Sequence, residues 1–385
     1  MGPVEPAARP LRVLVLAGEP SGDRHAARLV RALAARGPCE AFGLAGPEMR
    51  AAGVTAVVAM EEVAVLGLTE VLKHLGPLLA ARRRLVAALE PAPDLVIPVD
   101  FPGFNLPFAR RARRRGIPVL YYVSPQIWAW GSGRLRAIAA AVDRMAVVFP
   151  FEVPLYEAAG VPVTYVGHPL VEELDVDLDG TALRELVGLA AGTPYVALLP
   201  GSRAQEVERL FPPMLDAVRR LRRARPSLAA VVAAASPTLA ERMGSLGAAR
   251  EPGVSVVAGH THAVAAHARA ALVASGTATL ETAALGTPLV IVYRLSRLSW
   301  MLASRLVRLR RVGLANIVAG EEVAPELLQG RATGAEMAAA AAPLVDDGPP
   351  RARALARLAS VRERLGRPGA AARTAELALA LARRG

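Results

Sequence analysis

Val196-Ala-Leu-Leu-Pro-Gly-Ser-Arg-Ala-Gln-Glu-Val-Glu-Arg-Leu210 decides how this chain is read. The apolar run Val196 to Leu199 has the length and character of a buried strand, and Pro200-Gly-Ser202 turns the chain. Arg203 to Leu210 then opens a helix. A strand that ends in a Gly/Ser turn and runs into a helix presents unpaired N–H groups at the positive end of a helix dipole, which suits an anion. Arg203 adds a planar cation beside Gly201 and Ser202, matched to the oxygens of a phosphate. An ordinary strand-to-helix turn with Ser202 as N-cap accounts for the same residues. The rest of the chain has to choose between the two.

Outward from this stretch, the pattern repeats. Leu11 to Ala17, Ala41 to Ala45, Asp94 to Asp100, Ile117 to Val123, Val142 to Phe149 and Val161 to Val166 read as short buried strands. Leu228 to Ala233, Val254 to Val257, Ala271 to Ala274 and Leu289 to Tyr293 continue the series beyond Val196. Helical segments rich in Ala, Arg and Leu lie between them, the pattern of an α/β fold with parallel sheets. With 385 residues, two domains are expected. Gly167-His-Pro-Leu170 and the acidic run Glu172 to Asp179 read as the hinge between them. Arg351 to Arg384 reads as one or two closing helices.

Composition narrows the function. The formal charge of +12 is carried almost wholly by Arg, with Lys73 the only lysine, and admits phosphorylated ligands or an anionic surface as partners. Nucleic acid is not expected, because the basic runs (Arg82 to Arg84, Arg110 to Arg115, Arg219 to Arg225) sit on separate amphipathic helices without an aromatic platform. Cys39 is the lone cysteine, so no disulfide framework or thiolate metal cluster is expected. His260, His262 and His267 follow one strand, but without thiol or carboxylate at ligand spacing they predict no metal. The run Leu11 to Ala17 is too short for a signal peptide, and Gly276, Glu281 and Pro288 break the longest apolar segment, so no leader and no bilayer-spanning helix are expected.

Several loops carry polar groups where open α/β sheets hold ligands, after strand carboxyl ends. Gly18-Glu-Pro-Ser-Gly-Asp23 follows the first strand, yet its glycine spacing is not that of a dinucleotide fingerprint, and neither it nor the Gly201 turn has the Lys-Ser/Thr of a P-loop. Ser275-Gly-Thr-Ala-Thr-Leu-Glu281 opens a second helix with donors at Gly276 and Thr277. Glu281, one turn in, can accept from a ribose diol, or it is simply a helical surface carboxylate. The stretch Val65 to Leu79, broken by Gly67, Gly76 and Pro77 and followed by Arg82 to Arg84, reads either as a core helix or as an interfacial membrane segment.

Together these motifs resemble the lipid-A-disaccharide synthase family. The resemblance rests on Gly18-Glu-Pro-Ser-Gly-Asp23, Val99-Asp-Phe-Pro-Gly-Phe-Asn105, Tyr122-Val-Ser-Pro-Gln-Ile-Trp-Ala-Trp130, Val166-Gly-His-Pro169, Leu199-Pro-Gly-Ser-Arg203, Ser275 to Glu281 and Asn316-Ile-Val-Ala-Gly320, in the family's order. Ala315 departs from the proline commoner there, which touches loop stiffness rather than chemistry.

The resemblance implies a GT-B architecture of two Rossmann-like domains facing across a cleft. It implies an acceptor-binding domain over 1–168 with a membrane-docking segment at 65–84, a UDP-sugar-binding domain over 169–350, and helices over 351–385 that pack back on the first domain. It also implies an inverting glycosyltransferase that moves 2,3-diacylglucosamine from UDP-2,3-diacylglucosamine to the 6-hydroxyl of 2,3-diacylglucosamine 1-phosphate, with no cofactor or metal. Asp100 then matches the catalytic base, and Glu19 orients acceptor or base. Gly201, Ser202, Arg203, Glu206, Gly276, Thr277, Glu281 and Asn316 fall to the UDP donor; Ser21, Asn105, Gln126 and Trp128 fall to the acceptor. Leu68, Leu72, Leu75, Arg82 and Arg83 form the docking patch for the anionic cytoplasmic face of the inner membrane. Another GT-B UDP-sugar enzyme, such as an N-acetylglucosamine transferase or epimerase, and a non-catalytic UDP-sugar or lipid-binding module remain as alternatives.

Overall fold

A computed structural model describes residues 9–63, 75–125, 135–295 and 311–383. The chain divides into two compact units: Met1–Pro169 with Arg367–Gly385, and Leu170–Gly366. The helix Pro349–Arg364 therefore belongs to the second unit, and the helix Ala370–Ala382 packs on Pro20–Ala34 in the first. The closing segment, read from sequence as one or two helices, forms two, and they are split between the units.

In the first unit the strands are β1 Leu11–Ala17, β2 Cys39–Ala45, β3 Thr55–Ala59, β4 Leu95–Val99, β5 Leu120–Tyr122, β6 Arg144–Val147 and β7 Val163–Tyr165. They form one parallel sheet in the order β3-β2-β1-β4-β5-β6-β7. The second unit contains β8 Tyr195–Leu199, β9 Ala229–Ala234, β10 Val254–Ala258, β11 Ala270–Ala274, β12 Leu289–Tyr293 and β13 Glu326–Leu328, in the order β10-β9-β8-β11-β12-β13, again parallel. β1, β4, β8 and β11 lie inside their sheets with helices on both faces, which is why they read as unbroken Val/Leu/Ala runs rather than alternating ones. β3 and β13 escape the sequence reading. Each is a short edge strand with half-buried residues, so neither carries the apolar run that marks a central strand.

The helix Ala204–Ala224 shows how the second core is built. Val207, Leu210, Phe211, Met214, Leu215, Val218 and Leu221 recur at three- and four-residue spacing and are all buried against the sheet, while the arginines between them face outward. Phe211 has no exposed surface, and truncating such a side chain typically costs about 3–5 kcal/mol.

Each sheet reverses its winding direction beside its first strand, between β1 and β4 and between β8 and β11. The loops leaving neighbouring strands at such a point diverge to opposite faces and leave a crevice at the carboxyl edge, where open α/β sheets bind ligands.

Candidate active site

At the crevice of the first unit, β1 delivers Gly18 and Glu19, and β4 delivers Asp100. Glu19 is exposed and is the N-cap residue of the helix Pro20–Ala34. Asp100 is half-buried, and its pKa is pushed up to about 6, first by burial and second by the negative charge of Glu19. Asp100 and Phe101 both adopt left-handed backbone, with φ of 47° and 48°. Such conformations cost roughly 1–3 kcal/mol for residues other than glycine and persist only where surroundings impose them. Here Phe101 lies so close to Gly18 that a Cβ there would sit 2.2 Å from the aromatic ring, which explains the glycine after β1.

Two neighbours of this site carry a signal that only the fold assembles. His25 lies on the helix after Glu19, with its ring edge-on to Tyr122 at 6.5 Å. Its charge favours the ionised form of Asp100, opposing the effect of burial. β5 brings Tyr122 next to β4, and the Asp100 N–H donates to the Tyr122 carbonyl at 3.1 Å. Asp23, by contrast, is a structural cap. Its buried carboxylate accepts from the backbone N–H groups of Gly46, Glu48 and Met49 at 2.9, 2.9 and 3.2 Å, tying the loop after β1 to the loop after β2. Ser21 is half-buried in the same helical turn.

At the crevice of the second unit, β8 leads into Gly201-Ser-Arg203 and β11 into Ser275-Gly-Thr277. Gly201 has φ of +115°, and a Cβ there would lie 2.5 Å from a Glu206 carboxylate oxygen. Glu206 folds back over the turn, accepting from Ser202 N–H at 3.3 Å and from the Arg203 guanidinium at 3.1 Å. The donors read from sequence as an anion cradle are therefore engaged by the protein's own carboxylate. Arg203 stays 82% exposed, so its charge is largely available to a ligand. Tyr293, at the end of β12, is a neighbour the sequence reading missed. Burial raises its hydroxyl pKa, and the charges of Glu206 and Arg203 act on it in opposite directions.

Gly276 and Thr277 are exposed at the start of the helix Thr277–Ala284. Glu281 lies one turn in, with His262 Nε2 3.7 Å from its carboxylate, and that pairing raises the His262 pKa against the opposing effect of burial. The three histidines serve the segment that precedes β8. His262 Nδ1 meets the Asp175 backbone, His260 pairs with Asp177, and His267 Nε2 bonds the Leu178 carbonyl at 3.0 Å. Among the described residues, no cluster of three His, Cys, Asp or Glu is arranged to hold a metal ion. Burial, reinforced by Glu40, raises the pKa of the half-buried Cys39 thiol and so disfavours its reactive thiolate.

The comparisons with known proteins bear on this geometry directly. The family model described as lipid-A-disaccharide synthetase matches residues 13–379. Lipid-A-disaccharide synthase of Trichlorobacter lovleyi is 45% identical over 375 residues, covering 97% of this chain and 98% of the relative. That of Myxococcus xanthus is 44% identical over 376 residues, with coverage of 97% and 98%. The chain belongs to the lipid-A-disaccharide synthase family.

Solved structures show the fold shared by this synthase-family chain. A UDP-GlcNAc 2-epimerase from Neisseria meningitidis bound to UDP-GlcNAc superposes with a TM-score of 0.65 at 13% identity, covering 96% of this chain and 100% of the other. A calicheamicin glycosyltransferase superposes with a TM-score of 0.62 at 21% identity, with coverage of 97% and 99%. The fold class is GT-B, with two parallel-sheet α/β domains.

Two residues that the family motif put on ligands have other work in this structure. Asn105 has no exposed surface; its Nδ2 lies 2.7, 3.2 and 3.3 Å from the carbonyls of Asp100, Val99 and Leu16, so it holds backbone rather than an acceptor. Asn316 is likewise fully buried. It donates to Ala324 O and Glu326, and accepts from the N–H groups of Val323 and Ala324, all between 2.8 and 3.0 Å. That set of bonds stitches the loop leading into β13 and satisfies the Asn316 side-chain amide within the protein. Both side chains are bonded within the protein, and a buried amide that braces a site and an open amide that binds a ligand look alike in a motif. Gln126, Trp128, Leu68 and Leu72 lie outside the described residues, as does the side chain of Leu75. Arg82 and Arg83 are exposed on the helix Leu75–Ala87, whose Ala81 and Leu85 face the core. No helix among the described residues is long and apolar enough to cross a membrane.

Proposed function

We propose that Asp100 is the base of an inverting transfer in which 2,3-diacylglucosamine passes from its UDP conjugate to the 6-hydroxyl of 2,3-diacylglucosamine 1-phosphate. Membership of the family makes the chain a UDP-sugar glycosyltransferase of lipid A disaccharide synthesis. The reading of an unrelated UDP-sugar enzyme is not favoured, since curated synthases are 43–45% identical over nearly the whole chain. The epimerases share the fold at 12–14% identity.

The observation that carries the assignment is a half-buried carboxylate at the switch point, with its pKa raised to about 6. A carboxylate is a weak base for a sugar hydroxyl, and raising its pKa toward neutrality strengthens it while leaving it mostly ionised at pH 7. As the acceptor oxygen bonds to the anomeric carbon, its proton passes to Asp100. The anomeric C–O bond breaks with its electron pair leaving on the UDP β-phosphate, so an α-linked donor yields a β-linked product. Glu19 orients the acceptor. In the second unit Arg203, the Gly201–Ser202 turn and the Gly276–Thr277 helix start meet the developing phosphate charge, and Glu281 takes the ribose diol. Glu206 must give way to the donor.

Because both substrates carry acyl chains, the segment 65–84, with Leu68, Leu72, Leu75, Arg82 and Arg83, docks on the anionic cytoplasmic face of the inner membrane. Incubation with the two synthetic substrates should release UDP and disaccharide in equal amounts. UDP release without disaccharide, or turnover of an unacylated UDP-sugar alone, would overturn the reading.

A further inference from the structure

Resting on the assignment of Asp100 as base, we propose that Tyr121 and Asn105 are its positioning residues: two fully buried donors that converge on the Asp100 carbonyl and hold the peptide after it in a conformation it would otherwise leave. The Tyr121 hydroxyl donates to that carbonyl at 2.6 Å and Asn105 Nδ2 at 2.7 Å. Neither residue has exposed surface, so neither touches a substrate. Their shared target is the backbone of the one residue whose carboxylate faces the reaction. Asp100 and Phe101 are consecutive left-handed residues without a glycine between them, and nothing in their own side chains favours that state in Phe101.

The surrounding bonds show how the state is imposed. The Asp100 N–H is held by Tyr122 O at 3.1 Å, and Phe101 O accepts from the Asn105 N–H at 3.0 Å. With N–H and carbonyl of Asp100 both held, the φ and ψ on either side of its Cα are restrained, and so is the direction in which its Cα–Cβ bond leaves the backbone. Asn105 also reaches Leu16 O and Val99 O at the carboxyl ends of β1 and β4, so the clamp ties the base to the two strands that define the crevice. Its Oδ1 has no hydrogen-bond partner among the described residues. Leaving that oxygen unsatisfied in a buried site costs about 1–3 kcal/mol, which the bonds at Nδ2 have to offset. A turn whose only task was to join β4 to its helix could relax to right-handed backbone and dispense with both donors.

Tyr121→Phe removes one hydroxyl and leaves the packing intact. The expected result is a 10- to 100-fold fall in kcat, as for small misplacements of a reacting group, with the donor KM unchanged within twofold. The acidic limb of the kcat–pH profile should move to lower pH as the freed carboxylate turns toward water. Asn105→Ala should give the same signature; if it fails to fold by circular dichroism, Tyr121→Phe alone decides. A lowered melting temperature with kcat and the pH limb unchanged would overturn the proposal and leave the two residues as fold determinants. Asp100→Asn is the control that separates the two levels: if it turns over normally, the base assignment itself fails.

Discussion

The two crevices occupy equivalent places in two similar sheets, yet they are built in opposite ways. The first is acidic, half-buried and conformationally locked, with Asp100 held on strained backbone beside Glu19. The second is open, with Arg203 largely exposed and the Gly201 turn covered by the Glu206 carboxylate. The difference is the one that the proposed tasks require. A base must be aimed at one atom and lifted in pKa, which demands burial and a fixed backbone. A pyrophosphate site needs N–H groups and a cation that a charged ligand can reach through water, which demands access. The same topology supplies both because the switch point only opens a crevice; the loop residues decide its chemistry.

The comparison breaks first at Asp100. Asp100→Ala should lower turnover by about 10²–10⁴, the usual contribution of a general base, while UDP affinity measured by calorimetry stays within a few-fold. If UDP binding falls in parallel, the division of labour between the crevices is wrong. Arg203→Ala comes next. Losing a charge-assisted contact of about 1.5–3 kcal/mol should raise the donor KM roughly 10- to 100-fold, and product-inhibition constants for UDP should rise with it.

Glu206→Gln sharpens the contrast in the other direction. If the carboxylate competes with the donor phosphates for Ser202 N–H and Arg203, its neutral replacement should tighten UDP binding about three- to tenfold. Weakened binding would instead make Glu206 a direct donor ligand, as the motif alone suggests.

The smallest effect is on stability. Asp100 has an ordinary pKa of 3.8 unfolded and about 6 folded, so below pH 3.8 it is protonated in both states and costs nothing. Between these values the folded protein retains a proton that the unfolded chain has lost. The stabilisation is therefore lost as pH rises through about 6, and above that the ionised group destabilises the fold by at most about 3 kcal/mol. Asp100→Asn escapes ionisation. It should raise the melting temperature by a few degrees at pH 8 and leave it unchanged at pH 3.5, a gain in stability that accompanies the loss of catalysis. Turnover of the unsubstituted protein should rise through the same pH of about 6.

How far the sequence carries depends on whether a residue's role is local. β1 and β12 have the bounds read from their apolar runs, because a strand buried on both faces announces itself in consecutive side chains. β3 and β13 do not, because an edge strand is defined by the neighbour it pairs with. The strand-turn-helix at Gly201 was legible, since strand, glycine and helix start are contiguous. That Glu206 lies over it is not, because the side chain of the third residue of a helix folds back only when the turn geometry allows.

What the sequence by itself determined is the order of βα units, the loops that end at strand carboxyl edges, and through its motifs the family and its chemistry. These rest on short-range patterns: runs of apolar residues, turn residues, and charged side chains a few positions away. Tertiary structure alone decided that Asn105 and Asn316 brace backbone, that Tyr121 and His25 stand with Asp100, and that Tyr293 stands with Arg203. Asn316 needs only the following loop to fold back on its helix, whereas the grouping of Tyr121 and His25 with Asp100 needs β1, β4 and β5, far apart in the chain, to become neighbours. Burial, the largest cause of the shift in Asp100, exists only once they have.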